Sequence, residues 1–242
     1  MIAGCRLPRA AGLLAMLALA AGCASSRQDV KPIPQLAAAD AGSAWTELLR
    51  IRRGELRLAS YSSIRVESRG SKQTFRATIE ADDRGRLRVD AFSPMGTAAF
   101  TLHVDGAEST MIDHVHRTWW RGPFSTAARS LGLPESLDAG GLAMLAFGLP
   151  ASKGDARAEG ASVEQEGVEY RLEASGIAEA SAADWTASFD APAYPATGVT
   201  ILTRDGERSM SVRHLEVGAA SRAVEPPEID RSYQCCVEPA VP

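Results

Sequence analysis

Beyond its first two dozen residues this chain has no apolar run of the length, about 20 residues, that a membrane-crossing helix takes. It also has no basic excess: 26 Lys and Arg stand against 30 Asp and Glu, a formal charge of −4. Nucleic-acid binding wants a basic footprint, so no nucleic-acid partner is expected. Adhesion to anionic lipid by charge is excluded for the same reason. The short signatures of catalysis are missing: no Gly-x-Ser-x-Gly elbow, no phosphate loop, no His-Glu-x-x-His. No enzyme activity and no cofactor are therefore expected. His114-Val115-His116, beside Asp113, reads as one strand with both imidazoles on one face. A catalytic zinc needs a third protein ligand, and His103 and His214 offer no fitting spacing, so no metal is expected.

What is present begins at the N-terminus. Arg6 and Arg9 precede an apolar stretch from Ala10 to Ala21, followed by Gly22-Cys23. A basic start, a short apolar segment and small residues at the cut describe a secretory signal peptide over residues 1–22. Cut near Ala21, it would be an ordinary leader. Ala21-Gly22-Cys23 also resembles the bacterial lipoprotein box, although Ala20 stands where Leu is usual and Leu19 one place earlier. That resemblance implies cleavage before Cys23, a diacylglycerol on its sulfur and an acylated amino terminus. Each buried methylene of an anchor contributes about 0.8 kcal/mol, and two or more chains make attachment durable. Ala24 in place of Asp points to the outer membrane rather than retention at the inner one. Loss of Arg6 and Arg9 with the leader makes the mature chain more acidic. Of the four cysteines, Cys235 and Cys236 remain in the body of the protein. The pair reads as tail decoration or as a strained vicinal disulfide that closes no long loop.

Residues 23–42, rich in Ala, Ser, Asp and Pro, read as the lipidated Cys and a flexible tether. A helix starts at Ser43 as cap, with Trp45, Leu48 and Leu49 on one face, and fades at Gly54. Period-two alternation follows: Ile64 and Val66; Phe75, Ala77 and Ile79; Leu87, Val89 and Ala91; Phe100, Leu102 and Val104. These are half-buried antiparallel strands. Turns fall at Arg69-Gly70-Ser71, Asp82-Asp83-Arg84-Gly85 and Asp105-Gly106. A further strand is placed over Ser109–Arg117, ending at Trp119-Trp120, whose rings face opposite ways. Helices are expected over Ser125–Leu131 and Ser136–Phe147. Strands resume at Val168–Leu172, Trp185–Phe189, Val199–Ile201 and Met210–Val212, and residues 219–242 read as a loose polar tail. The fold class is α+β: a curved antiparallel half-open β-barrel of about 9–11 strands with inserted helices forming a lid. The domain spans residues 43–218.

Ser93-Pro94-Met95-Gly96 joins two of these strands. Turns are usually polar because their side chains meet water. Met95 at this apex either tucks back onto the sheet or protrudes to touch acyl chains or a partner; spacing does not choose.

Four segments resemble the LolB family of outer-membrane lipoprotein receptors, in the LolA/LolB superfamily. They are the box at Cys23, the turn Ser93-Pro94-Met95-Gly96, the run Leu142–Pro150 ending in Gly148-Leu149-Pro150, and Pro195-Ala196 followed by Val199–Val217 with its Asp205-Gly206 turn. The resemblance covers residues 45–218. It implies a half-open barrel whose apolar cavity takes the acyl chains of other lipoproteins from a periplasmic LolA-like carrier and releases them into the outer membrane. Cys23 would carry the lipid anchor. Met95, with Pro94 and Gly96, would form the membrane or cargo loop; Met is apolar and flexible and suits that place. Phe75, Ile79, Leu87, Val89, Phe100, Leu102 and Leu145 would line the cavity. The chain would act as a monomer, lipid-anchored and periplasm-facing. A rival from another class is a structural or assembly lipoprotein that uses the same fold as a protein-binding platform. A continuous apolar cavity between sheet and lid favours transfer; a filled core counts against transfer and leaves the platform.

Overall fold

A computed structural model describes residues 31–68, 71–134, 136–154 and 156–236. The leader, Cys23 and the Arg69-Gly70 turn lie outside the described residues, as do residues 237–242.

Helix α1 (Ala41–Arg53) is capped by Asp40, whose Oδ1 accepts from the Ser43 N–H at 2.8 Å. The cap is thus three residues before the Ser43 expected from sequence. Cationic Arg50, Arg52 and Arg53 fill its last turn, where the helix dipole favours them, and Gly54 ends it. Strands β1 (Arg57–Ser68), β2 (Ser71–Asp82), β3 (Leu87–Phe92), β4 (Ala98–Asp105), β5 (Glu108–Asp113) and β6 (Thr118–Pro123) form a meander. Helices α2 (Phe124–Leu131) and α3 (Ala139–Ala146) follow. Then come β7 (Arg157–Glu159), β8 (Ser162–Gln165), β9 (Val168–Glu173), β10 (Gly176–Ser181), β11 (Trp185–Phe189), β12 (Gly198–Thr203) and β13 (Arg208–Ala219). A short β14 (Gln234–Cys235) comes last.

All fourteen strands join one sheet, in the order β14-β6-β5-β4-β3-β2-β1-β13-β12-β11-β10-β9-β8-β7. The two meanders meet at the β1–β13 pair, which runs from Leu58↔Ala219 to Ser68↔Arg208. Its register shift at Tyr61/Ser62 leaves Leu215 as the extra residue of a bulge. The sheet does not close. Helix α3 touches β2 and β3 on one side and β12 on the other, so the sheet curls around it. This is the curved, unclosed antiparallel sheet with helices in its hollow that the alternation suggested. It has more strands than 9–11, because β7, β8, β10 and β14 escaped the pattern and β6 was read as the end of β5.

Three readings are corrected. Residues 114–117 are a turn between β5 and β6, so His114 and His116 do not share a strand face. Residues 31–42 are not a free tether: Lys31 exchanges backbone bonds with Ala219 at 3.2 and 2.8 Å. Beyond it Leu36 and Ala38 donate to the carbonyls of Tyr194 and Ala174. The tail is not loose up to Cys236. Val224 is buried, and β14 pairs in parallel with β6, Gln234↔Thr118 and Cys235↔Trp119.

The end of α3 depends on Gly148, which has φ +80°. The Leu149 N–H bonds to Met144 O at 3.0 Å and the Gly148 N–H to Leu145 O at 2.9 Å, a Schellman closure. A Cβ here would stand 2.9 Å from Ala193 O and 3.0 Å from Ala196 Cβ. Gly148→Ala is expected to cost roughly 1–3 kcal/mol by chemical denaturation, from the left-handed backbone together with this clash.

Candidate functional site

The hollow of the sheet is built from every second residue of its strands. Ile79, Leu87, Phe100 and Leu102 are buried there, with Phe75 and Val89 half-buried at its margin. Leu145 of α3 is fully buried and belongs to the same apolar cluster. All seven expected lining residues therefore come together. They lie inside one packed core that α3 helps to fill. The helix reads Ala-Gly-Gly-Leu-Ala-Met-Leu-Ala and is buried on nearly every side. A helix without a polar face has no stable place at a surface.

Two clefts lie elsewhere. One of about 470 Å³ is lined by Glu159, Ser162, Glu164, Glu169 and their neighbours at the β7–β10 end. The other, about 480 Å³, is a groove along Thr46, Leu49, Arg50 and Arg53 of α1. Neither touches the expected lining residues.

Two polar clasps hold the C-terminal end of the α3 segment. After it, Arg52 donates from Nε to Pro150 O at 3.1 Å and from Nη2 to Ala151 O at 3.4 Å. Arg52 is only 5% exposed, and its Nη1 has no hydrogen-bond partner. Burial lowers its pKa, with Asp138 and Asp83 opposing. The Ala151 N–H donates to the Tyr170 hydroxyl at 3.0 Å, and burial pushes that phenol up to about 12. Tyr170 packs on Trp45 of α1 with centroids 5.1 Å apart. At the helix start, Asp138 Oδ1 accepts from the Gly141 N–H at 2.5 Å.

His214 forms the second clasp. Its Nε2–H donates to Ala146 O at 2.7 Å, so neutral Nδ1 accepts from the Ser62 hydroxyl at 2.9 Å. Ser60 Oγ adjoins Ser62 Oγ at 2.8 Å. Phe147 stacks on the imidazole at 5.1 Å and 10°. Burial lowers the His214 pKa, with the Ala146 carbonyl opposing. A Ser–His contact can activate a nucleophile. Here Ser62 is fully buried, so the pair ties the helix to the sheet instead.

The β3–β4 turn settles the question left open at Met95. Met95 protrudes, 90% exposed, with Pro94 and Gly96 also exposed. The turn is firmly built: the Ser93 N–H donates to Thr97 O and the Gly96 N–H to Ser93 O, each at 2.9 Å, and Gly96 takes φ +80°. The adjacent β5–β6 turn exposes Val115 by 68%. Asp113 Oδ1 holds that turn by accepting from the Val115 and His116 N–H groups, both at 2.9 Å.

The two histidines read as sharing one strand face are separated. His116 Nδ1 bonds to Asp113 at 2.6 Å, whereas His114 bridges Thr101 Oγ1 at 3.0 Å and the Tyr233 hydroxyl at 3.1 Å. No group of three metal-ligating side chains gathers among the described residues. Nor is any helix among them long and apolar enough to cross a membrane. Cys235 and Cys236 are free thiols. The clasps were missed from sequence, since Arg52 and Pro150 share no local pattern.

No family model matches this chain. No curated protein matches it. Among solved structures it is similar to a LolA superfamily protein from Nitrosomonas europaea, at 12% identity and TM-score 0.48, over 78% of this chain and 96% of that one. It is similar to an outer membrane lipoprotein-sorting protein domain from Vibrio parahaemolyticus at 10% identity and TM-score 0.48, over 76% and 95%. A DUF1329 family protein from Desulfovibrio piger matches at 7% identity and TM-score 0.44, over 76% and 95%.

Proposed function

We propose that this chain is an outer-membrane lipoprotein, anchored through Cys23, that receives the acyl chains of other lipoproteins beneath α3 and helps insert them into the outer membrane. The observation that supports this most is the character of α3: an apolar helix occupying the hollow of an open sheet, clasped at its C-terminal end through the carbonyls of Ala146, Pro150 and Ala151. Acyl chains offer the same chemistry as the Leu, Met and Ala side chains they would displace. Withdrawal of α3 opens a trough lined by Ile79, Leu87, Phe100 and Leu102. Cargo chains cannot cross water unshielded, since each methylene costs about 0.8 kcal/mol there. A soluble carrier supplies them, and the bilayer takes them at lower free energy. No covalent step is needed.

The filled interior favours the second reading, a lipoprotein whose fold serves as a protein-binding platform. Titration with a fluorescent fatty acid separates the two. Transfer requires saturable uptake near one equivalent, with a change in Trp emission, and delivery of a carrier-bound lipoprotein to liposomes. Absence of both leaves the platform. Depletion in the host, followed by lipoprotein localisation, tests the pathway itself.

A further inference from the structure

The two neighbouring thiols of β14 are held apart by the way that strand docks. β14 pairs with β6 so that Cys235 is level with Trp119. Cys235 is exposed, whereas Cys236 is half-buried and packs against the apolar cluster of the hollow. Neighbours on a strand point to opposite faces, so docking keeps the sulfurs on different sides of the sheet. The backbone fixes this arrangement: the Gln234 N–H donates to Arg117 O at 2.9 Å and the Cys236 N–H to Trp119 O at 2.7 Å.

β14 ends a strap that crosses the outer face of the first meander. Val224 is buried there, and so is Ile112, although neither belongs to the cluster of the hollow. Ile112 stands level with Thr101 and Trp119, on the side opposite to Met111. Along its length the strap takes a bond from Arg88 Nη1 to Glu225 O at 3.4 Å. The Tyr233 hydroxyl meets His114 Nδ1 at 3.1 Å, with the rings edge to face at 5.9 Å. A segment fastened at so few points opens locally at low free energy.

A disulfide between adjacent residues closes a small ring through their own peptide bond. Both Cβ atoms must then come within about 4.5 Å on one side, while the Cα atoms, about 3.8 Å apart, lie closer than the usual 4.4–6.8 Å or so. Strained, exposed disulfides of this kind are readily reduced again and serve as labile, regulatory ones. The ring cannot close in β14. Cys236 must first leave the apolar cluster and the Trp119 carbonyl, so oxidation and docking exclude each other.

We propose that Cys235-Cys236 is a thiol–disulfide exchange site, and that its oxidation by a disulfide donor releases the strap 224–236 from β6 and the outer face. The exposed Cys235 attacks as thiolate; its sulfur bonds to one sulfur of the donor, and the other leaves as a thiol. Cys236, once free of the core, attacks Cys235 Sγ, and the bond to the donor breaks with loss of a second thiol. The pair gives up two electrons and two protons, and the donor is reduced to two thiols. Release uncovers Ile112 and the outer edge of β6, where unpaired backbone groups are open to another chain. This goes beyond the transfer and platform readings and depends on neither.

The test uses the full chain with Cys5 and Cys23 replaced by Ser, which leaves these two thiols, and glutathione disulfide as the donor. Mass mapping is expected to find two hydrogens lost within the single peptide that holds both residues. Hydrogen exchange at the Gln234 and Cys236 amides is expected to quicken at least about tenfold on oxidation and to recover on reduction. Glutathione adducts or dimers in place of the ring overturn the site. A ring with unchanged exchange overturns the release. Cys236→Ser is expected to stop at the mixed disulfide with its strap still protected; a strap freed by the adduct alone overturns the role of the ring. Tyr233→Ala, which deletes the contact with His114, should favour the oxidised form about tenfold, a fall of about 30 mV in the glutathione midpoint. An unmoved midpoint overturns the coupling between docking and oxidation.

Discussion

Phe147→Ala is expected to unfold at a free energy about 3–5 kcal/mol below the parent, the usual cost of deleting a buried aromatic ring. Phe147 is fully buried and closes α3. Its ring stacks on His214, and its carbonyl accepts from the Ala196 N–H at 3.0 Å. Truncation thus leaves a void between the lid helix and the sheet and removes the imidazole's packing partner. Against a total of about 5–15 kcal/mol for a domain, that loss is large. Urea titration with an unchanged slope measures it. The same void should raise fatty-acid uptake below the transition, because a dry apolar space admits apolar ligands. A loss under about 1 kcal/mol would mean that α3 is held loosely and the core is not packed through it.

Stability is also expected to fall as the medium turns acid. Burial lowers the pKa values of His214, His103 and His114 beneath the ordinary 6.5, with nearby carboxylates opposing at His103 and His114. Between its folded and unfolded pKa each group binds its proton more readily in the unfolded chain. The contribution is therefore complete above about pH 6.5 and drains as pH falls toward the folded values. The slope cannot exceed about 1.4 kcal/mol per pH unit for each histidine. His214 should dominate, because its charged form would face Ser62 and the Phe147 ring with no carboxylate in contact. A Gln there can donate to Ala146 O and accept from Ser62. Melting temperatures of His214→Gln between pH 5 and 8 should accordingly trace a flatter curve than the parent's. An identical curve would place the acid sensitivity at His103 and His114.

Much of this fold is legible in the chain, and the gaps have physical causes. β9 and β11 alternate cleanly because one face is dry and the other wet, whereas β4 alternates in sequence only, since Thr101 and His103 are buried along with Phe100, Leu102 and Val104. β10 does not, since Gly176, Ile177 and Ala178 are all buried. The β5–β6 turn was hidden because His114-Val115-His116-Arg117 contains no Gly, Pro or Asn; Arg117 itself takes the left-handed φ of 55°. Docking of residues 31–40 and 220–236 rests on backbone bonds and a few apolar side chains, Ile33, Leu36 and Val224, which composition averages away. The lining residues were legible as one face. Whether that face bounds a cavity or a core was not, because the occupant, α3, is as apolar as any lipid.

The β1–β13 seam also sets when the molecule can be completed. β2 forms on β1 almost at once, but Leu58 must wait for Ala219 to exist before its other edge is covered. Closing so long a loop is entropically costly and slow. During synthesis the first meander therefore carries an uncapped twelve-residue edge, a template for wrong pairings that a holding chaperone would have to cover. The same delay keeps the chain unfinished until its last long strand has been made.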